Sequence, residues 1–213
     1  MENTTYLFDF DGTLVNSMSY WADMMTKLLD SHKVSYPHDI IKIITPLGVD
    51  ATAKYFIDVL KIDMTFDEVI KYMYDWALPV YTDVIKVKSG VVEYLTMLKN
   101  KGCSLNVLTA SPHETLDPCL KNNGIYDLFD NIWSCSDFGL SKSDVQLFHN
   151  VAHKLGKKEN EITFFDDNIV AVKTALQAGF NAVGVYDKSG EEFRDELKAV
   201  AQMYIDSFEC LLR

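Results

Sequence analysis

Two aspartates one residue apart, Asp9 and Asp11, follow the apolar run Tyr6-Leu7-Phe8 and lead at once into Gly12, Thr13 and Leu14. The run reads as a short buried strand ending on the two acids. Carboxylates held this close repel, and one pKa rises unless a cation or hydrogen-bond donors keep both ionised. The stretch therefore asks for a metal. Asp-Gly between apolar residues is also a hairpin signal, which offers Tyr6–Phe10 and Thr13–Val15 as two strands around a tight turn. Against that stands the rest of the chain, which supplies the parts of a phosphate site in order.

Those parts need elements to carry them. From Lys88 onward the pattern alternates between helix and apolar strand. Helices are expected over Ser89–Lys101, Pro112–Asn122, Ser143–Leu155, Ile169–Ala178 and Glu191–Leu211, with glycines or Asn-Gly as stop signals. Strands are expected at Ser104–Leu108, Asn131–Ser134, Ile162–Phe165 and Ala182–Tyr186, which with the first make a five-stranded parallel sheet of Rossmann-like α/β type. Between Asn16 and Val87 the texture is all-helical and rich in aromatics. Ser17 reads as the cap of a helix whose apolar positions run to Leu29 and which ends at Ser31-His32-Lys33, and Tyr36-Pro37 starts a short helix through Ile44. A break follows at Thr45-Pro46-Leu47-Gly48, then a helix over Asp50–Leu60 and another after the capping-box sequence Thr65-Phe66-Asp67-Glu68. The expected organisation is a core from residues 1–15 plus 88–213 with an inserted helical cap over residues 16–87.

Ligands of open parallel sheets bind beyond the carboxyl ends of the strands. The first strand ends on Asp9 and Asp11, the second on Thr109-Ala110-Ser111, the fourth on Asp166-Asp167-Asn168, and the third is followed by Ser136-Asp137 and then Lys142. Ser111 before Pro112 reads as a plain helix cap, yet a helix N-terminus is also an anion site, so both uses can hold. Lys142, at the expected start of a helix, opposes the helix dipole and calls for a nearby anion.

The stretch Asp9-Phe10-Asp11-Gly12-Thr13-Leu14, taken with Thr109, Lys142 and Asp167, resembles the signatures of the haloacid dehalogenase-like superfamily, in its helical-cap branch of phosphoglycolate phosphatase and β-phosphoglucomutase type. The resemblance implies a phosphoric monoester hydrolase that uses Mg2+. By it, Asp9 is the nucleophile, Asp11 the general acid and base, Thr109 a phosphate ligand and Lys142 the cation that offsets charge. It also implies that Asp9, Asp167 and the backbone carbonyl of Asp11 bind the metal, with Asp166 in the outer shell, and that Gly12, Thr13, Ala110 and Ser111 line the phosphate. Ser143 stands where the family usually has proline. A mutase would need a basic residue just after Thr109 and an arginine in the cap loop, where this chain has Pro112-His113 and Gly48-Val49-Asp50-Ala51. A dehalogenase has no use for Asp11 or the metal. The reading from another class is a silent binding protein of the same fold, which the intact acid set opposes.

Composition sets the outer limits. At 213 residues and 48% apolar content the chain can bury one core and carry one insertion. A formal charge of -11 argues against nucleic acid or an anionic membrane as partner. There is no membrane-length apolar stretch, and Met1-Glu2-Asn3 lacks the basic region of a secretory signal, so the expected compartment is the cytosol. Four scattered cysteines suggest neither zinc site nor disulfide framework. The only arginines are Arg194 and Arg213. An anionic substrate, expected to be a small phosphorylated metabolite, must be met by lysines, amides, helix ends or metal. Nothing in the chain specifies an oligomeric state. His149 and His153 share a helix face without a third metal ligand, Asp137-Phe138-Gly139 matches a kinase triplet without its loops, and Trp21, Tyr55, Phe56, Tyr72, Tyr74, Trp76 and Tyr81 read as cap core and cap–core interface, with substrate lining as the alternative for a few of them.

Overall fold

Leu7 and Phe8, consecutive on the strand β1 (Thr5–Phe8), point to opposite faces of the sheet, and both are fully buried. The computed structural model describes residues 4–44 and 47–212. The expected break at Thr45-Pro46 and the N-terminal Met1-Glu2-Asn3 lie outside them. The chain divides into two compact units, Met1–Ser17 with Ile85–Arg213, and Met18–Val84.

In the first unit, β1 is joined by β2 (Ser104–Thr109), β3 (Asn131–Ser134), β4 (Ile162–Asp166), β5 (Asn181–Val185) and β6 (Met203–Ile205). Among the described residues they form one all-parallel sheet in the order β3-β2-β1-β4-β5-β6. The sheet thus has six strands where five were expected. The order reverses direction at β1 and β4, so the crevice at their carboxyl ends is the topological switch point.

Both faces are covered. Leu7, Leu108 and Phe164 meet α7 (Val145–Leu155) and α8 (Ile169–Gln177), with Phe148 edge-on to Phe164 and Phe180. On the other face Phe8 and Phe165 join Phe208 of the Phe208–Leu211 turn, and Tyr94 of α5 (Val91–Asn100) packs on Phe165 and Phe208. The remaining helices of this unit are α6 (His113–Asn122) and α9 (Arg194–Val200). Two segments flanking the insertion pair within this unit: Val15 bridges Val87 antiparallel, and Lys88 N–H donates to the Leu14 carbonyl at 2.8 Å.

Two expectations need correction here, and the alternative of a hairpin is set aside. The long helix over Glu191–Leu211 is instead a 3₁₀ turn (Lys188–Phe193), α9, β6 and a second 3₁₀ turn, because the edge of β5 takes up Met203–Ile205 as a paired strand. The hairpin reading fails, since the Asp-Gly turn folds inward: the Phe10 carbonyl accepts the N–H groups of Thr13, Leu14 and Val15. Ser17 does not cap a helix, because its buried hydroxyl makes no hydrogen bond.

The second unit is helical: α1 (Met18–Ser31), α2 (Ile40–Ile44), α3 (Gly48–Asp58) and α4 (Phe66–Pro79), running into a π-helical turn at Val80–Val84. The capping box is present, with Thr65 N–H donating to Glu68 at 2.8 Å and Glu68 N–H to the Thr65 hydroxyl at 3.3 Å. Met24, Met25, Leu28, Leu29, Phe56, Met73 and Tyr81 are buried, whereas Trp21, Tyr55, Tyr72, Tyr74 and Trp76 are half-buried. No helix among the described residues is long and apolar enough to cross a membrane.

Candidate active site

Asp9 continues the line of β1, its N–H donating to the Phe165 carbonyl of β4 at 2.8 Å, so its side chain stands at the switch point. Asp166 is the last residue of β4 and Asp167 the next. One carboxylate oxygen from each of Asp9, Asp166 and Asp167 lies within 4.8 Å of the others, and no other such acid, histidine or cysteine group occurs among the described residues. Asp9 and Asp166 are buried.

Lys142 joins two of the three, its Nζ lying 2.5 Å from Asp9 Oδ1 and 2.8 Å from Asp166 Oδ2. Burial opposes its charge, but the carboxylates of Asp166 and Asp9 outweigh that and raise its pKa. It does not sit in a first helical turn: α7 begins at Val145, capped by Asp144, whose carboxylate accepts Gln146 N–H at 2.8 Å. The anion that Lys142 calls for is this acid cluster, and the helix dipole has no part in it.

One cation does not balance the acids. Burial raises the pKa of Asp167 well above the carboxylate range, and Asp166, Asp9 and Asp187 push it the same way. Burial likewise raises Asp166, against the pull of Lys142. A set of oxygen donors with excess negative charge fits a hard divalent ion such as Mg2+. Gly12 makes room for the Asp167 carboxylate: a Cβ there would lie 2.5 Å from Asp167 Oδ2, and its φ of +76° suits glycine.

Thr109, buried at the end of β2, accepts the Ser111 N–H at 3.1 Å on its hydroxyl oxygen, which leaves the hydroxyl proton free to be donated. The Ser111 hydroxyl donates to Asp11 Oδ2. Pro112, with ψ of 156°, takes the cap position of α6, one residue later than expected, so Ser111 serves Asp11 and not the helix. Of the four residues assigned to the phosphate, three are already engaged. Gly12 N–H donates to the Val15 carbonyl and Thr13 N–H to that of Phe10. The Thr13 hydroxyl donates to Asp167 Oδ1 and accepts Asp167 N–H.

Sequence reasoning missed Lys88 and Asp187. Lys88 Nζ pairs with Asp187 Oδ2 at 2.9 Å and donates to the Tyr186 carbonyl at 2.7 Å, at the carboxyl end of β5. The only available signal was Asp187 itself, an acid just past a strand. His149 pairs with Glu159, and Asp137 accepts the Ser134 N–H to cap a turn.

A parallel sheet with acids at its switch point defines a class, and the comparisons agree with it. The chain belongs to the haloacid dehalogenase-like hydrolase family, whose model matches residues 6–185. It is 26% identical to the validoxylamine A 7'-phosphate phosphatase of Streptomyces hygroscopicus subsp. limoneus, over 84% of each chain. It is 25% identical to the phosphoglycolate phosphatase of Psychrobacter arcticus, over 87% of this chain and 84% of that one. These relatives are phosphoric monoester hydrolases by name. The fold is that of CbbY from Rhodobacter sphaeroides, solved with phosphate, at a TM-score of 0.82 and 17% identity over 96% of this chain and 94% of that one.

Proposed function

We propose that the chain is a Mg2+-dependent phosphatase that hydrolyses a small phosphorylated metabolite through an aspartyl phosphate on Asp9. The observation that carries this reading is the meeting of Asp9, Asp166 and Asp167, with Lys142 bridging the first two. Phosphatase relatives over most of the chain add to it. Residues 1–15 and 88–213 are then the catalytic core, and 16–87 a helical cap that selects the substrate.

Asp9, Asp167 and the backbone carbonyl of Asp11 would hold Mg2+, with Asp166 in the outer shell. When bound, the ion screens the approach of a carboxylate to a phosphate and polarises the phosphoryl oxygens. Lys142 adds a fixed positive charge beside Asp9. Thr109 donates its free hydroxyl proton to a phosphoryl oxygen, and Ala110 would offer the phosphate its backbone N–H. Gly12 and Thr13 act by placing Asp167.

A carboxylate oxygen of Asp9 bonds to phosphorus as the bond to the leaving oxygen breaks, and Asp11 gives that oxygen its proton. The product leaves as an alcohol. Water then attacks the phosphorus and loses a proton to Asp11, and inorganic phosphate departs from a restored Asp9. Ser111, on Asp11 Oδ2, fixes the orientation of the acid.

The test is Mg2+-dependent release of nitrophenol from p-nitrophenyl phosphate, with Asp9→Asn as control. Release that needs the metal and vanishes in Asp9→Asn is expected. No metal-dependent release above the variant would leave a silent binding protein of this fold. A panel of phosphorylated metabolites then finds the substrate.

A further inference from the structure

His113, the first residue of α6, lies between two acids on different elements. Its Nδ1 is 3.0 Å from Asp117 Oδ1 on the same helix, and its Nε2 is 3.0 Å from Asp137 Oδ2 on the turn after β3. Ionised carboxylates only accept, so both ring nitrogens must donate, and the ring held between them is an imidazolium. Asp137 is itself anchored, its Oδ2 accepting the Ser134 N–H at 2.9 Å. Ser134 in turn stands opposite Thr109 in the β2–β3 ladder.

A closed circuit follows: Thr109 to His113 along the chain, His113 to Asp137 through the ring, Asp137 to Ser134, and Ser134 back to Thr109 across the sheet. Inside it lies Ser111, with its N–H on Thr109 and its hydroxyl on Asp11. Proline at 112 removes one backbone freedom from the same loop. Without the bond to Asp137, the far end of the loop would lose its tie to β3.

We propose that His113 is a positioning residue, an imidazolium clamp that holds the Thr109–Pro112 loop against the turn after β3, a role that deepens the phosphatase reading and rests on it for what the loop binds. Asp117 and Asp137 are the charged groups that face the ring, and their hydrogen bonds, Asp117 first, raise its pKa above the ordinary imidazole value. A neutral ring has one N–H and must release one carboxylate. The clamp therefore holds at low pH and opens as pH rises through the raised pKa. With both nitrogens occupied, His113 is also not the free cation that a mutase would offer a second phosphate.

The test uses the full chain with Mg2+. The His113 pKa is read by nitrogen-detected NMR, and tungstate, a dianion that mimics phosphate, is titrated by calorimetry from about pH 6 to about pH 9, across the free imidazole value. The pKa is expected above 6.5 in the wild type and closer to 6.5 in Asp137→Asn, which keeps an acceptor for Ser134. Wild-type tungstate affinity should fall about fivefold more than that of His113→Gln over this range, the equivalent of one net hydrogen bond. A wild-type pKa at or below 6.5, or the same pH dependence in His113→Gln, overturns the clamp. If His113→Gln does not fold, the wild-type and Asp137→Asn titrations decide alone. Neither readout needs turnover, so a failed hydrolysis assay beside a titrating clamp would count against the phosphatase and leave the clamp standing.

Discussion

Thr13 and Asp167 are bonded to each other twice across 154 positions of chain, the hydroxyl donating to the carboxylate at 3.0 Å and accepting the Asp167 N–H at 3.1 Å. One hydroxyl thereby fixes both the backbone and the side chain of the residue read as a metal ligand. Thr13→Val keeps the shape and removes both bonds, leaving an N–H without a partner in a buried place. A loss of about 1–3 kcal/mol is expected, visible in urea unfolding, together with weaker Mg2+ binding. Thr13→Ser should keep most of both. Equal stability in Thr13→Val and wild type would show that the pair does not matter.

Gly12 is held to glycine by two independent constraints, its φ of +76° and the 2.5 Å that a Cβ would leave to Asp167 Oδ2. The backbone alone should cost Gly12→Ala roughly 1–2 kcal/mol. The contact adds a second effect, because Asp167 must move. A divalent ion at about a hundred times its dissociation constant stabilises a native state by about 2.7 kcal/mol. Melting curves in Mg2+ and in EDTA should show such a gain for the wild type and little of it for Gly12→Ala. A full gain in the variant would place the ion away from Asp167.

How much of this was legible depended on the range of the interaction. β1 announced itself because Tyr6-Leu7-Phe8 is an unbroken apolar run ending on acids, and the capping box at Thr65 and Glu68 is decided within four residues. β6 was hidden because Met203-Tyr204-Ile205 becomes a strand only through the open edge of β5, a partner that local pattern does not reveal. The dipole argument for Lys142 does not hold, since Asp144 starts the helix beyond it, whereas the resemblance points to the same lysine without it. The acids could be named in advance, but the contacts that aim them could not. Thr13 on Asp167, Ser111 on Asp11 and Lys88 on Asp187 each join residues about a hundred or more positions apart.

The cysteines divide by burial. All four are free, with Cys210 exposed, Cys103 half-buried, and Cys119 and Cys135 buried. Burial pushes the Cys119 thiol up to about 12 and the Cys135 thiol up to about 11. The thiolate is the reactive form, so even at pH 9 roughly one in a hundred Cys135 side chains would carry it, and fewer of Cys119. Iodoacetamide on the native protein should label Cys210 first and leave Cys119 and Cys135 unmodified by mass spectrometry, whereas urea should expose all four. Native labelling of Cys135 at neutral pH would mean that the turn after β3 opens.

Lys88 and Asp187 carry a prediction with an unusual sign. Their side chains are 14% and 10% exposed, and the pair lies close enough to the acids for Asp187 to raise, and Lys88 to lower, the pKa of Asp167. Removing one member of a buried pair leaves the other uncompensated, so Lys88→Met should lose about 3–5 kcal/mol in EDTA. The same change deepens the negative potential around Asp167, which favours a divalent cation. Mg2+ should therefore restore more stability to Lys88→Met than it gives the wild type, and less to Asp187→Asn, in which one acid has been neutralised. Adding Asp187→Asn to Lys88→Met should recover part of the loss, a coupling that a double-mutant cycle in urea measures. If Mg2+ stabilised all three proteins equally, the Lys88 and Asp187 pair would be a strut of the fold with no electrostatic hold on the acids at the switch point.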